Sequence, residues 1–600
     1  MMETYASLRN LKFLLHEVLE AEQLSKFERF TDYDTEAMDM ALEAAKQIAD
    51  TYLFPYYREM DRDKAYYKEG KVYTHPALKA GIQALAEGGW IAAIDDFEVG
   101  GQQMPGVLLH AGLFQFYAAN ANLAAYAFLT QAAANLIRTF GSEELYSTFV
   151  PNMYNGKWQG TMALTEPQAG SSLSDITTSA EPTEDGHYLI RGQKIYISGG
   201  DHAAVDNVVH LLLARIKGAP AGTKGISLFV VPKYRPEHEQ LVSNGVTTAG
   251  IFGKMGQKGY VAAHLMLGEQ ESCYGYLVGK PHQGLRFMFQ MMNEARIGTG
   301  LVATGTASAA YYAALKYAHE RPQGRHPSNK DVSQEQVLII EHADVRRMLL
   351  FQKSVVEGSL ALLLYCSYLS DLAAEAEGEA AENSHLLLEL LTPIAKSYPS
   401  EMGTQAVSIG MQCLGGAGYT DDFPLEQLYR DIRVNAIYEG TTGIHGMDLL
   451  GRKITMANGK AVKLLMQEIQ QTIKNAGAIE PLASMARDLG MATKQLHEVT
   501  LDLLALASQD VPEVFLADAT LYLEYFGTIT IAWQWLRQAG VAMEKLNAGL
   551  SEEENEFYQG KVYACRYFFA YELPKTNGLA YRLGHTKDRL TVDIPPAFIN

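Results

Sequence analysis

The chain has 600 residues, 48% of them hydrophobic and 20% charged, which is too apolar for disorder and too long for one ordinary core, so several packed domains are expected. Its 69 acidic against 50 basic side chains give a net charge of −19, and no stretch concentrates Lys and Arg as nucleic-acid binding requires. The four cysteines, Cys273, Cys366, Cys413 and Cys565, are far apart and form no CxxC pair, which argues against a disulfide framework or a structural zinc site and for a reducing compartment.

The opening segment, 1–34, carries charges every few positions through YASLRNLKFLLHEVL and lacks the apolar core and cleavage site of a secretory signal, so it reads as an amphipathic helix. Residues 35–160 place Ala, Leu and Glu at three- and four-residue spacings, as in AMDMALEAAKQIADTYL, and predict a helical domain. Across 161–284 the texture changes to short β-type runs: HYLIRGQKIYISGG after the Asp185-Gly186 turn, then NVVHLLLARI and GISLFVVPKY. The chain enters this β domain through LTEPQAGSSLSD (164–175), a Ser- and Gly-rich junction that offers hydroxyls and open backbone N–H groups to a polar ring edge or a phosphate, although such a stretch is ordinarily just a turn. In GQKIYISGG (192–200), Tyr196 and Ser198 are two positions apart and so share a sheet face.

Helices return over 285–455 in long Ala-, Leu- and Met-rich segments, and 456–600 adds further amphipathic stretches that read as an additional all-helical domain. The acidic stretch AEAEGEAAEN, around 374–383, reads as a solvated loop. Apolar runs such as 360–366 and 386–391 are far shorter than the ~20 residues that span a bilayer, and no transmembrane segment is expected. The fold class is α+β and mostly α: a helical domain, a middle sheet or barrel, a helical bundle and an extra C-terminal helical domain. Near the end of the bundle, QCLGGAGYTDDFPLEQLYRDIRVNAIYEGTTGIHG (412–446) sets a Gly-rich turn before a helix and places Glu439 in an apolar-to-glycine passage.

Three segments, T-E-P-x-A-G-S, G-x-K-x-aromatic-I-Ser and Y-E-G-T, occur in this order and at spacings similar to those of the acyl-CoA dehydrogenase family. With KMGQKG (254–259), NEARIG (293–298), Glu320-Arg321 and EHADVRRML, the resemblance covers about residues 35 to 455. The ends resemble the larger bacterial members, which carry a C-terminal helical domain. The resemblance implies a flavoprotein that forms trans-2-enoyl-CoA by α-proton abstraction and β-hydride transfer to FAD, works in fatty acid β-oxidation and passes electrons to electron-transfer flavoprotein. It further implies a cytoplasmic homodimer without a metal or nucleic acid, and acyl-CoA as substrate.

Carried over residue by residue, the resemblance assigns Glu439 as the catalytic base. It puts Met162, Leu164, Thr165, Gly170 and Ser171 on the flavin, with Ser171 also near CoA, and Tyr196 and Ser198 against the isoalloxazine. Arg321 corresponds to an arginine that reaches the FAD of the neighbouring subunit, and Gln412, Gly416, Thr441, Thr442 and Gly443 to further FAD contacts. Asn293, Arg296 and Gly440 would meet the acyl-CoA. The chain departs from the common pattern in having Tyr196 for Trp, Gly443 for Gln and ERPQGR for an ER-x-x-F-G segment. For an arbitrary Glu an exposed or ion-paired carboxylate is the ordinary reading; inside Y-E-G-T a desolvated base suits the weakly acidic α-proton of a thioester. Glu294 is the rival base, but some relatives that use this helix have the Glu directly before the arginine, whereas Ala295 precedes Arg296 here. His342 and His445 are given structural roles. The alternatives are an acyl-CoA oxidase and a non-catalytic DNA-associated relative, the latter disfavoured by the acidic LSEEENEFYQG.

Overall fold

The computed structural model describes residues 4–599 except 239, 330, 510 and 547–548, and describes no side chains for 289–293. The chain divides into two compact units, one made of Met40–Pro105 and Gly112–Ala295, the other of Met1–Asp39, Gly106–Ala111 and Arg296–Asn600. Residues 296–455 and 456–600 both lie in the latter unit.

In the first unit the β-type runs form an eight-stranded sheet. The entering strand Trp158–Ala163 lies parallel to Asn207–Ile216, which pairs antiparallel with Ile226–Pro232. Both central strands are buried along nearly their whole length, as their continuous Val and Leu content requires. The Asp185-Gly186 turn closes a hairpin between Ser179–Pro182 and Tyr188–Ser198, with Gly186 at φ +80°. Tyr188–Ser198 also pairs with Ala262–Leu267, and the register shifts by one residue between Ala263↔Ile197 and Leu265↔Lys194. This β-bulge leaves Lys194 and Ile195 both buried and aims Tyr196 outward at φ +59°.

The second unit is helical. Helix Ala343–Glu375 pairs with Gly378–Leu414 through a two-residue connection. The stretch expected as a solvated loop is therefore mostly helix: Gly378, at φ +62°, makes the turn, and the Glu and Ala residues after it, good helix formers, extend the next helix with their side chains largely in solvent. Helices Ala343–Glu375 and Pro512–Leu546 are long and apolar enough to cross a membrane by length and composition, and most of each such window is buried within the fold. The short apolar runs in the sequence understate this, because tolerated Ser, Gly and Gln residues join them into one helix. Helix Ala519–Leu546 buries Tyr522, Tyr525, Phe526, Trp533 and Trp535, each 1% exposed or less. Trp535 Nε1 donates to Ser354 O at 2.9 Å, joining this helix to Ala343–Glu375. The N-terminal segment belongs to this unit: Arg9 makes two hydrogen bonds to the Glu554 carboxylate at 2.9 and 2.8 Å, and Phe13 packs edge-on against Phe557 at 5.4 Å.

Candidate active site

The passage around Glu439 follows from its local sequence. Helix Leu425–Ile432 tightens into a short 3₁₀ turn, Arg433–Ala436, and a new helix starts at Thr442–Gly451 with Thr441 as its N-cap. Between them two residues take left-handed backbone, Glu439 at φ +54° and Gly440 at φ +85°. Glycine does this freely; a glutamate does it at a cost on the order of 1–3 kcal/mol, persisting only where the surroundings hold it. Both carbonyls of the turn are held by buried side chains. His445 Nε2 lies 3.0 Å from Glu439 O, and Lys396 Nζ donates to Gly440 O at 2.7 Å. Burial pushes His445 down to about 3, so the ring is neutral, and its Nε2 must carry the proton to bond a carbonyl. A Cβ on Gly440 would stand 3.0 Å from His445 Nε2, so the glycine is needed for both conformation and space.

Glu439 as a residue is exposed, but burial around its carboxyl raises that group above its usual value, and Lys396 and then Arg296 partly oppose this. A desolvated carboxylate with an elevated pKa is a form that a general base takes. Arg296 is buried and pairs with Asp448 at 3.2 Å. Thr442 Oγ1 donates to Glu401 at 2.5 Å, and Tyr438 Oη donates to Asn435 Oδ1 at 2.9 Å. The structure thus gathers Arg296, Glu439, Gly440, Thr441, Thr442 and Gly443 around one turn.

Arg321 and Gln412 are exposed and lie outside that cluster. Arg321 follows helix Gly284–Glu320, and one turn before it Tyr317 packs edge-on at 5.3 Å against Phe423, just beyond the Gly-rich turn. In that turn Gly415 has φ +60° and Gly416 is exposed, with nothing near where a Cβ would stand at either position. The Asn293 side chain lies outside the described residues. Glu294, the rival base, is also raised by desolvation, but it is half-buried within a helix and hydrogen-bonded to Asn135. Glu439 differs in being displayed on a left-handed turn.

The other predicted residues lie in the sheet-containing unit. Met162, Leu164, Thr165 and Ser198 are half-buried, Gly170 and Ser171 exposed, and Tyr196 is 59% exposed beside Phe252 at 4.3 Å between ring centres. An outward aromatic ring, half-buried hydroxyls and exposed Ser-Gly backbone are groups that suit a planar, partly apolar ligand with polar edges. No local sequence pattern marks what pins the segment after strand Trp158–Ala163 to the bulged strand. Lys194 and Glu166 form an ion pair at 2.8 Å with side chains 0% and 1% exposed. Glu166 also accepts from Thr177 N, Thr177 Oγ1 and Thr178 N, and Lys194 Nζ donates to Leu164 O at 2.9 Å. Burial works against the charge on Glu166, but Lys194 and these donors hold its carboxyl down to about 2. Both residues stand inside the motifs quoted from the sequence, as the E of T-E-P and the K of G-x-K. Lys396 gave a fainter signal, a lone lysine in LLTPIAKSYPS. Among the described residues no cluster of His, Cys, Asp and Glu could hold a metal ion.

Four family models match the chain in succession: acyl-CoA dehydrogenase N-terminal domain at 35–157, middle domain at 161–269, C-terminal domain at 282–454, and acetyl-CoA dehydrogenase C-terminal like at 465–593. The chain is 32% identical to 3-methylmercaptopropionyl-CoA dehydrogenase of Ruegeria pomeroyi over 98% of its own length and 99% of that protein's. It is 33% identical to a butyryl-CoA dehydrogenase of Syntrophomonas wolfei over 98% of both chains, and 33% identical to the broad-specificity linear acyl-CoA dehydrogenase FadE5 of Mycobacterium tuberculosis over 95% of both. In fold it is similar to an acyl-CoA dehydrogenase from Bacillus anthracis solved with FAD, with a TM-score of 0.73 and 20% identity over 96% of this chain and 92% of that one. Caenorhabditis elegans ACDH-11, solved with C11-CoA, gives a TM-score of 0.72 at 19% identity over 93% and 90%.

Proposed function

Since this chain belongs to the acyl-CoA dehydrogenase family, we propose that it oxidises the Cα–Cβ bond of an acyl-CoA to a trans-2-enoyl-CoA with Glu439 as the base. The observation that carries this reading is a carboxylate raised by desolvation, on a left-handed turn whose two carbonyls are tied down by His445 and Lys396. FAD, when bound, supplies the acceptor for the β-hydride.

The residues present fit that cofactor. Tyr196, Ser198, Met162, Leu164 and Thr165 would hold the ring, and Gly170 and Ser171 would offer backbone and hydroxyl to its polar edges. Arg321, Gln412, Gly416 and 441–443 would bind the rest of the cofactor, with Arg321 reaching the FAD of a second subunit in a homodimer. For the substrate, Glu439 takes the α-proton while its own backbone N–H polarises the thioester carbonyl, and Gly440 leaves room for the thioester. Ser171, Asn293 and Arg296 would contact the acyl-CoA. Electrons then pass to electron-transfer flavoprotein in the cytoplasm, as part of fatty acid β-oxidation.

Purified protein should be yellow, with FAD released on denaturation. Presented with acyl-CoAs from four to eighteen carbons plus methylmercaptopropionyl-CoA, on the order of ten substrates, it should reduce an artificial acceptor with at least one, read as kcat/KM. Loss of flavin, or no turnover anywhere in the panel, would contradict the proposal. Turnover that proceeds with oxygen alone, with electron-transfer flavoprotein adding nothing, would make the enzyme an oxidase.

A further inference from the structure

We infer that Lys396 is a positioning residue for the reaction: its ammonium, tied to Gly440 O, fixes the left-handed turn that presents Glu439 and supplies the positive charge against which that carboxylate ionises. The inference rests on the reading of Glu439 as the base.

Lys396 lies on helix Gly378–Leu414 between Pro393 and Pro399, two prolines that interrupt the backbone hydrogen-bond ladder on either side of it. Its side chain is completely buried. Taking an ammonium out of water is costly, and one carbonyl acceptor 2.7 Å away does not return that cost. Burial lowers the Lys396 ammonium to about 8; Glu439 first and Glu401 second work against that lowering, and Arg296 adds to it. Glu401 is itself engaged by Thr442 Oγ1, and Arg296 by Asp448, so both other charges have partners of their own. His445 is neutral and holds the neighbouring carbonyl. The turn therefore has two separate clamps, one neutral and one cationic. Of the two cations acting on the Glu439 carboxyl, Lys396 has the larger effect. A lysine that only packed the helix would be replaceable by an apolar chain of equal length; one that orients and charges the base would not.

The test compares Lys396→Met, Lys396→Arg and Glu439→Gln in the FAD-loaded full-length enzyme, with flavin content and circular dichroism as folding controls. Lys396→Met should lower kcat by at least about 10-fold with little change in KM, and should move the acid limb of the kcat/KM profile upward by on the order of one pH unit, because the carboxylate loses its counter-charge. Lys396→Arg should restore the limb to its wild-type position. Should the methionine variant not fold, Lys396→Gln, which keeps a donor and removes the charge, is read the same way. An unmoved limb in the folded neutral variant overturns the inference while leaving the base assignment intact. Retained activity in Glu439→Gln would instead overturn the base assignment.

Discussion

At the scale of single residues, the proposed chemistry rests on Glu439 and the glycine after it. Glu439→Gln keeps the shape of the side chain and removes its basicity. It should retain flavin and bind acyl-CoA while losing at least about 10²-fold in turnover, measured with an artificial acceptor. Near-normal turnover in that variant, together with an inactive Glu294→Gln, would transfer the role to Glu294. Gly440→Ala should cost about 1–2 kcal/mol of stability in denaturant unfolding, since an L-residue pays to sit at φ +85° and its Cβ would press on His445. An unchanged midpoint would mean that the turn relaxes. The turn at Glu439 and Gly440 was legible in the sequence because Y-E-G-T is short and local. Lys396 was not, because its role depends on a contact with Gly440 44 positions away that no local pattern encodes.

Among elements, the loop that follows strand Trp158–Ala163 owes its course to the Glu166–Lys194 pair. Glu166→Gln would leave Lys194 as a buried cation facing a neutral amide, a loss of about 3–5 kcal/mol when one partner of a buried pair is removed. Unfolding should show that loss together with faster release of flavin; a variant of wild-type stability would show that the pair does not anchor the loop. The pair also sets a pH dependence. Its carboxyl sits at about 2 in the folded chain against a usual 4.5, so the stabilisation is fully present above about 4.5 and lost as pH falls through about 2. Thermal unfolding followed from pH 6 down to 2 should show it in the wild type and not in Glu166→Gln. The strands and the hairpin at Asp185-Gly186 were readable from alternation and turn residues. The bulge at Lys194–Tyr196 was not, since it arises from pairing with Ala262–Leu267 across the sheet. The acidic stretch at 374–383 misled in the opposite way: its charges marked solvent exposure, which a helix surface satisfies as well as a loop.

For the molecule as a whole, the C-terminal helices are not an appendage. Trp533 and Trp535 are fully buried, and Lys561, also fully buried, donates to Glu357 at 2.7 Å and to Gln538 at 3.2 Å and bonds Asn10, joining the N-terminal segment to three helices. The apolar faces of Ala519–Leu546, which in the sequence demand a partner, find it within the same unit. A chain ending at Arg452 should therefore expose the apolar face of Ala343–Glu375 and form large aggregates in light scattering, while the full chain scatters as a dimer. A soluble, monodisperse truncated chain, or a full-length tetramer, would contradict this. The order of helical, sheet and helical segments was visible from periodicity, but the tie between residue 10 and residue 561 was not, because nothing in either stretch names the other. The proposed dehydrogenation stands on proton abstraction by Glu439, and that step is measured most directly by incubating the FAD-loaded protein anaerobically, in deuterated buffer with no electron acceptor, with the acyl-CoA of the panel that it turns over fastest, and following deuterium entry at the α-carbon by mass spectrometry. Wild-type protein should exchange the α-hydrogen, and Glu439→Gln should slow that exchange by at least about 10²-fold with the flavin still bound; exchange at the wild-type rate in Glu439→Gln would contradict the account.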